Sequence, residues 1–196
     1  MAYQRKDAYY ARAKASGYRS RSAFKLQELA RKYQLIRRGD HVVDLGAWPG
    51  GWLQVAGELV GPQGLVVGVD LQAIESLNAA TISTLVGDAR EPSVQDELSF
   101  LSRQRVNVVL SDMAPNLSGI RDRDVARAAE LAETALAVAQ RLLAPGGRLL
   151  VKVFSGAEHD ALAAARRLFS SVKLTKPDAS RKESAEMYLV GVSWRG

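Results

Sequence analysis

Residues 41–52, HVVDLGAWPGGW, decide how the rest of the chain is read. HVVDL (41–45) is a short apolar run after the turn at Gly39, the right length for one buried strand. A glycine loop follows, and residues 51–60 read as a helix punctuated by Gly61-Pro62 and Gly64. Strand, glycine loop and helix in that order form the setting in which such a loop cradles a ligand rather than only turning the chain. The glycine spacing narrows the choice. A dinucleotide fingerprint needs G-x-G-x-x-G, so that the backbone can approach a pyrophosphate. Here Gly46 is followed only by Gly50 and Gly51, with bulky Trp48 between them, which suits a pyrophosphate poorly.

Working outward, strands and helices alternate. GLVVGVD (64–70), TISTLVGD (81–88) and RVNVVLSD (105–112) read as strands, and an Ala/Leu-rich helix runs from about Asp122 to Leu143 before APGG (144–147). GRLLVKVFSG (147–156) is a fifth strand, followed by a helix near 158–169 and by strands at VKLTKP (172–177) and EMYLVGVSW (186–194). Apolar runs of this kind are buried on both faces, as in a sheet flanked by helices. About ten residues separate the last two strands, too few for a crossover helix, so that pair is expected to be antiparallel. The fold class is therefore α/β: a mostly parallel, seven-stranded Rossmann-like sheet with an antiparallel C-terminal strand.

Composition excludes several classes. With 196 residues, 47% hydrophobic and 24% charged, the chain fits an ordinary globular domain. It has no cysteine and only two histidines, His41 and His159, so no disulfide framework or thiolate site exists and no metal is expected. No apolar run approaches the ~18 residues of a membrane span, and the first residues lack the apolar core of a secretory signal. The expectation is a cytoplasmic protein without a membrane partner. Charge is unevenly spread. Residues 1–38 carry eleven Lys or Arg against two acids, a net +9 in a chain whose total is +6. This division separates a basic N-terminal arm and helix (1–38) from a slightly acidic body (39–196) and suggests a polyanion partner. Tyr3, Tyr9, Tyr10, Tyr18 and Phe24 are interleaved with the charges and could stack on unpaired bases. Arg19, Arg21, Arg31 and Lys32 are the candidate RNA contacts.

In an open parallel sheet, ligands bind beyond the carboxyl ends of the strands. Those ends carry Asp70, Asp88, Asp112 and, after Leu149-Leu150-Val151, Lys152. Each aspartate alone could be a cap or turn residue, and a lysine near a strand end can send its charge to water. All four on one edge form the layout of a cofactor cleft. The loop fits the amino-acid end of S-adenosylmethionine, with Asp44 just before it and Gly46 at its start; Asp70 would accept from ribose hydroxyls and Asp88 would face the adenine edge.

DLGAWPGGW, SDMAPNLSG, APGGRLLVKVFSG and KPDASRKESAEMYLV, with RSRSAFKLQEL near the start, resemble the FtsJ-like ribose 2′-O-methyltransferases from about Gly17 to Val190. The resemblance implies a catalytic set of Lys25, Asp112, Lys152 and Glu186, with Glu183 a neighbouring alternative to Glu186. It implies cofactor contacts from Gly50, Trp52, Asp70, Asp88 and Asp112. The implied reaction is S-adenosylmethionine-dependent methylation of a uridine 2′-hydroxyl in large-subunit (23S) ribosomal RNA, within the large subunit, by a monomer that releases S-adenosylhomocysteine and aids ribosome maturation. Trp48 departs from the pattern, which has a small residue there, and could crowd the methionine end of the cofactor. Two rival readings are a nicotinamide dehydrogenase and a non-catalytic RNA-binding assembly factor; another RNA acceptor is a third. The glycine spacing disfavours the dehydrogenase, and the four charged residues disfavour the assembly factor.

Overall fold

The structure, a computed structural model, describes residues 8–103, 105–116, 118–180 and 184–196, without the side chains of residues 8 and 10. Its elements are α1 (Ala8–Ala15), α2 (Ala23–Tyr33), β1 (His41–Leu45), α3 (Gly51–Val60), β2 (Leu65–Asp70), β3 (Ile82–Val86), α4 (Pro92–Leu101), β4 (Val106–Ser111), α5 (Arg121–Leu142), β5 (Leu143–Phe154), α6 (Glu158–Leu168), β6 (Phe169–Thr175) and β7 (Glu186–Trp194). The strands form one sheet in the order β3-β2-β1-β4-β5-β7-β6. Pairings from β3 to β5 are parallel, whereas β7 runs antiparallel to both β5 and β6. The expected α/β class, strand number and antiparallel final strand are those observed. Two helices were not anticipated: α1, in the basic arm, and α4, whose single buried residue, Leu98, leaves little periodic signal. APGG, expected to stop the long helix, lies inside β5, next to an irregularity in its register with β4.

Side-chain alternation sorts the core into two layers. Leu149, Val151 and Val153 of β5 pack with Ala132, Leu136 and Ala161 of α5 and α6. Leu150 of β5 and Tyr188 of β7 pack instead with Leu26 and Leu29 of α2 and with Trp52 and Leu53 of α3. A strand has period two, so Lys152 shares the α2–α3 face with Leu150, and Glu186 shares it with Tyr188. The antiparallel register sets Lys152 opposite Tyr188 and Phe154 opposite Glu186.

The compositional break near residue 38 is not a seam in the core. Ala23, Leu26, Leu29 and Ala30 of α2 are buried in the same cluster as β1 and α3. Truncating a fully buried leucine such as Leu26 would cost about 2–5 kcal/mol. The arm's aromatic rings are likewise engaged internally. Tyr9 and Tyr18 lie with their ring centroids 5.9 and 5.7 Å from Phe24, and the Arg12 guanidinium sits 4.5 Å above the Phe24 ring. The Tyr18 hydroxyl bonds Glu58 at 2.8 Å. These rings fasten α1 to α2 and α3; Tyr3 and the Tyr10 side chain lie outside the described residues.

The strand order reverses between β1 and β4, which opens a crevice at their carboxyl ends. The backbone itself bridges this point: the Asp112 N–H donates to the Leu45 carbonyl at 3.2 Å. No helix among the described residues is long and apolar enough to cross a membrane.

Candidate active site

Four charged side chains from three strand ends and one helix meet on the α2–α3 side of the crevice. Lys25 comes from the buried face of α2, one turn before Leu29. Its Nζ donates to Glu186 Oε2 at 2.7 Å. Lys152 Nζ donates to the Asp112 carbonyl at 2.8 Å and lies 3.0 Å from Asp112 Oδ1 and 3.8 Å from Glu186 Oε1. The lysines are only 5% and 7% exposed. Burying an ammonium is costly unless countercharges accompany it, and here two carboxylates balance two ammonium groups. All four predicted catalytic residues are thus brought together; Glu183 lies outside the described residues.

Tyr188 belongs to this network and was not singled out from sequence. Its hydroxyl donates to Asp112 Oδ1 at 2.7 Å, its ring lies 5.7 Å below Lys25 Nζ, and it packs against Trp52 at 6.0 Å. In sequence it reads as one more apolar member of a buried strand; only the register with Lys152 reveals its partner. Burial, the Asp112 charge and this hydrogen bond hold its ionisation well above the usual tyrosine range, so it acts as a permanent donor. For Glu186, burial pushes the carboxyl up, but the Lys25 hydrogen bond and the charges of Lys25 and Lys152 outweigh it and hold the group below its ordinary value.

Beside the tetrad a cavity of about 640 Å³ runs along the ends of β1, β2 and β3. Gly46, Asp70, Asp88 and Asp112 line it, together with Trp48 and Met113. Its size lies within the ~300–1,000 Å³ typical of small-molecule sites. The Asp70 carboxylate accepts from the amides of Trp48 and Gln72 at 3.0 and 2.9 Å, which fixes its orientation at the cavity wall. Asp88 is gripped by the Arg90 guanidinium at 2.6–3.0 Å, which holds its carboxyl below the usual range. Gly46 has positive φ, and a Cβ there would come within 2.7 Å of Met113 Cγ, so only glycine leaves this wall open. Trp48 lines the cavity and is 51% exposed.

The other predicted cofactor residues, Asp44, Gly50 and Trp52, do not line the cavity. Asp44 is fully buried on β1, with neither carboxylate oxygen hydrogen-bonded, and does not line the cavity. Burial first, and then the charges of Asp112 and Asp70, raise its ionisation well above the ordinary carboxyl range. Gly50 and Trp52 are also absent from the wall: buried Trp52 donates its indole N–H to the Ser22 carbonyl at 2.9 Å. Among the predicted RNA contacts, Arg31 and Lys32 are exposed at the end of α2, and Arg21 is half-buried. The Arg19 guanidinium bonds backbone carbonyls of the protein itself at 2.6–3.2 Å.

This donor set suits S-adenosylmethionine. Carboxylates at two adjacent strand ends can accept from ribose hydroxyls and an exocyclic amine, and the glycine wall leaves the strand ends accessible. Asp70 and Asp88 would hold the nucleoside, and the Gly46 end of the loop would hold the amino-acid portion.

Similarity to known proteins agrees with this geometry. Proteins named ribosomal RNA large subunit methyltransferase E from Methanothrix thermoacetophila and Syntrophobacter fumaroxidans are 53% and 47% identical to the chain. The first match spans 97% of this chain and 74% of the relative, the second 100% and 99%. A Plasmodium falciparum protein described as a ribosomal RNA methyltransferase superposes with a TM-score of 0.80 at 26% identity, over 91% of this chain and all of that one. Fibrillarin from Aeropyrum pernix, solved with S-adenosyl-L-methionine bound, shares the fold alone, with a TM-score of 0.62 at 17% identity over 89% of this chain and 75% of its own. The family match extends over residues 18–194, from the segment before α2 to the end of β7, and with it the chain belongs to the FtsJ-like methyltransferases.

Proposed function

We propose that the protein transfers a methyl group from S-adenosylmethionine to a ribose 2′-hydroxyl of large-subunit ribosomal RNA. The observation that carries this reading is the linked set of Lys25, Glu186, Lys152 and Asp112, whose Asp112 also lines the cavity. The names of the relatives support ribosomal RNA as acceptor. The choice of a uridine in 23S RNA within the large subunit rests on the sequence resemblance.

When bound, S-adenosylmethionine supplies a methyl group activated by its sulfonium. The protein's part is to position the hydroxyl and manage its proton. An aliphatic hydroxyl is a weak nucleophile until its proton is leaving, and a positioned base contributes roughly 10²–10⁴-fold. Lys152 Nζ is the group placed to meet that proton, either as the base that takes it or as the cation that orients the hydroxyl. Asp112 orients Lys152 through both its carbonyl and its carboxylate, and Tyr188 orients Asp112. Glu186 neutralises Lys25, which leaves Lys25 fixed on the same face as a donor to the ribose. Buried side chains of this kind hold one geometry, so alignment supplies a further share of the acceleration. Arg31 and Lys32 on α2 lie on the helix that carries Lys25 and are the proposed phosphate contacts of the basic arm.

The test is methyl incorporation from labelled S-adenosylmethionine into large ribosomal subunits from cells lacking the protein, followed by mass-spectrometric mapping of the modified ribose. Wild type should methylate one site. Lys152→Ala should keep the fold and S-adenosylhomocysteine affinity but lose turnover. Undiminished turnover in that variant would refute the proposed role of Lys152.

A further inference from the structure

Arg19 turns its guanidinium onto the protein's own backbone. Its Nη1 donates to the carbonyls of Pro49 at 3.2 Å and Glu75 at 2.6 Å, and its Nη2 donates to the Ser76 carbonyl at 2.8 Å. Its own backbone N–H donates to Gln54 Oε1 on α3 at 2.8 Å. Pro49 belongs to the glycine loop. Glu75 and Ser76 lie in the coil that leaves β2 just beyond Asp70. These two segments build one wall of the cavity, through Trp48 on the first and Asp70, Leu71 and Gln72 on the second.

From inside the wall, the segments are joined by the bond from the Trp48 amide to Asp70. From outside, they are joined by Arg19. The glycine loop is built to admit it: a Cβ on Gly50, whose φ is +109°, would lie 3.2 Å from Arg19 Nη1 and 3.4 Å from Ile74 Cγ2. Gly51 is shaped by the same neighbour segment, since a Cβ there would come within 2.2 Å of Ser20 Oγ. Two of the three loop glycines are therefore packed against residues 19–20. A guanidinium suits the position, because its planar fork serves three carbonyls at fixed angles.

We infer that Arg19 is a positioning residue for the cofactor cleft, setting the spacing between the glycine loop and the coil after β2, rather than a contact to RNA phosphates. The inference rests on the cleft being the S-adenosylmethionine site. The segment that carries Arg19 is further fixed to α3 by the bonds from Gln54 to the Gly17 carbonyl and from Trp52 to the Ser22 carbonyl, both at 2.9 Å. It leads directly into α2 and Lys25, so the loop's support and the helix carrying Lys25 are one continuous stretch.

The experiment compares wild type, Arg19→Ala and Arg19→Lys as full chains. S-adenosylhomocysteine affinity is measured by titration calorimetry, and KM is measured separately for S-adenosylmethionine and for unmethylated large subunits at several salt concentrations. Arg19→Ala should weaken S-adenosylhomocysteine binding and raise the KM for S-adenosylmethionine on the order of tenfold, the loss of about one charge-assisted bond's worth of ordering. The KM for the ribosomal substrate and its salt slope should not move. Arg19→Lys should recover only part of the cofactor affinity, since an ammonium cannot span the three carbonyls; it also carries the test if the alanine variant does not fold. Cofactor affinity within twofold of wild type in both variants overturns the inference, with or without a raised KM for the ribosomal substrate. If wild type itself fails to bind S-adenosylhomocysteine, the reading of the cleft falls and this inference falls with it.

Discussion

Glu186→Gln, Lys25→Met and the double variant together measure what the Lys25–Glu186 pair contributes. The pair is short, 2.7 Å, and its side chains are 6% and 22% exposed. Removing one partner from a fully buried pair costs about 3–5 kcal/mol, whereas an exposed pair is worth about 0–1 kcal/mol. Glu186 is partly open to solvent, so each single variant should lose about 2 kcal/mol. In a chain of this length that is a fall in Tm of about 4–8 °C. Lys25→Met removes the charge while keeping most of the stem, so the double variant should be more stable than the two losses added together. A coupling energy of about 2 kcal/mol in urea or thermal unfolding is the expected result. The pH dependence has a definite sign. The Glu186 carboxyl is held below its ordinary value of 4.5, so its stabilisation is complete above that value and is lost as pH falls through the folded-state value. The gap between wild type and Glu186→Gln should therefore be constant near neutrality and close in acid. A coupling below about 0.5 kcal/mol at neutral pH would show that the two groups do not act as a pair.

Three further outcomes are expected. Asp44 has its ionisation raised by burial and by Asp112 and Asp70, so the folded state holds a proton that the unfolded state gives up above 3.8; stability should decline as pH rises toward the folded-state value, and Asp44→Asn should abolish that decline. Parallel stability-against-pH curves for the two proteins would contradict this. Tyr188→Phe deletes the 2.7 Å bond to Asp112 while keeping the ring packed, and should cost about 1.5–3 kcal/mol and lower kcat without changing S-adenosylhomocysteine affinity; an unaltered kcat would remove Tyr188 from the network. Affinity for RNA should fall with salt, with a log–log slope of about 0.7 per neutralised phosphate on a single strand, and Arg31→Ala or Lys32→Ala should each flatten it; a slope indifferent to both would exclude that end of α2 from the RNA grip.

The sheet was legible because parallel strands buried on both faces print as uninterrupted Val and Leu runs, and the crevice because acids recur at their ends. Lys25 and Glu186, 161 positions apart, could be paired only through the family resemblance: neither local run marks them as more than a helix lysine and a strand-end acid. α4 was hidden because Leu98 is its one fully buried residue, with Val94 and Leu101 only partly covered. The inward face of α2, with Leu26 and Leu29, was masked by the density of Arg and Lys around it, so a helix of the core read as part of an arm. Charge counts record that an arginine is present but not which way it points, so they give no sign that the Arg19 guanidinium bonds carbonyls 30–57 positions away. The same limit applies to Asp44, Gly50 and Trp52, which the loop motif marks but whose depth below the wall depends on three-dimensional packing.

The place of β7 between β5 and β6 has a consequence for when the enzyme becomes competent during synthesis. Glu186 and Tyr188 reach Lys152 and Asp112 only when this last strand in chain order slots into a gap left in the middle of the sheet. A nascent chain still missing β7 would have its glycine loop and both lysines yet no completed charge network. Methyl transfer would thus wait until β7 seats between two strands that precede it in the chain.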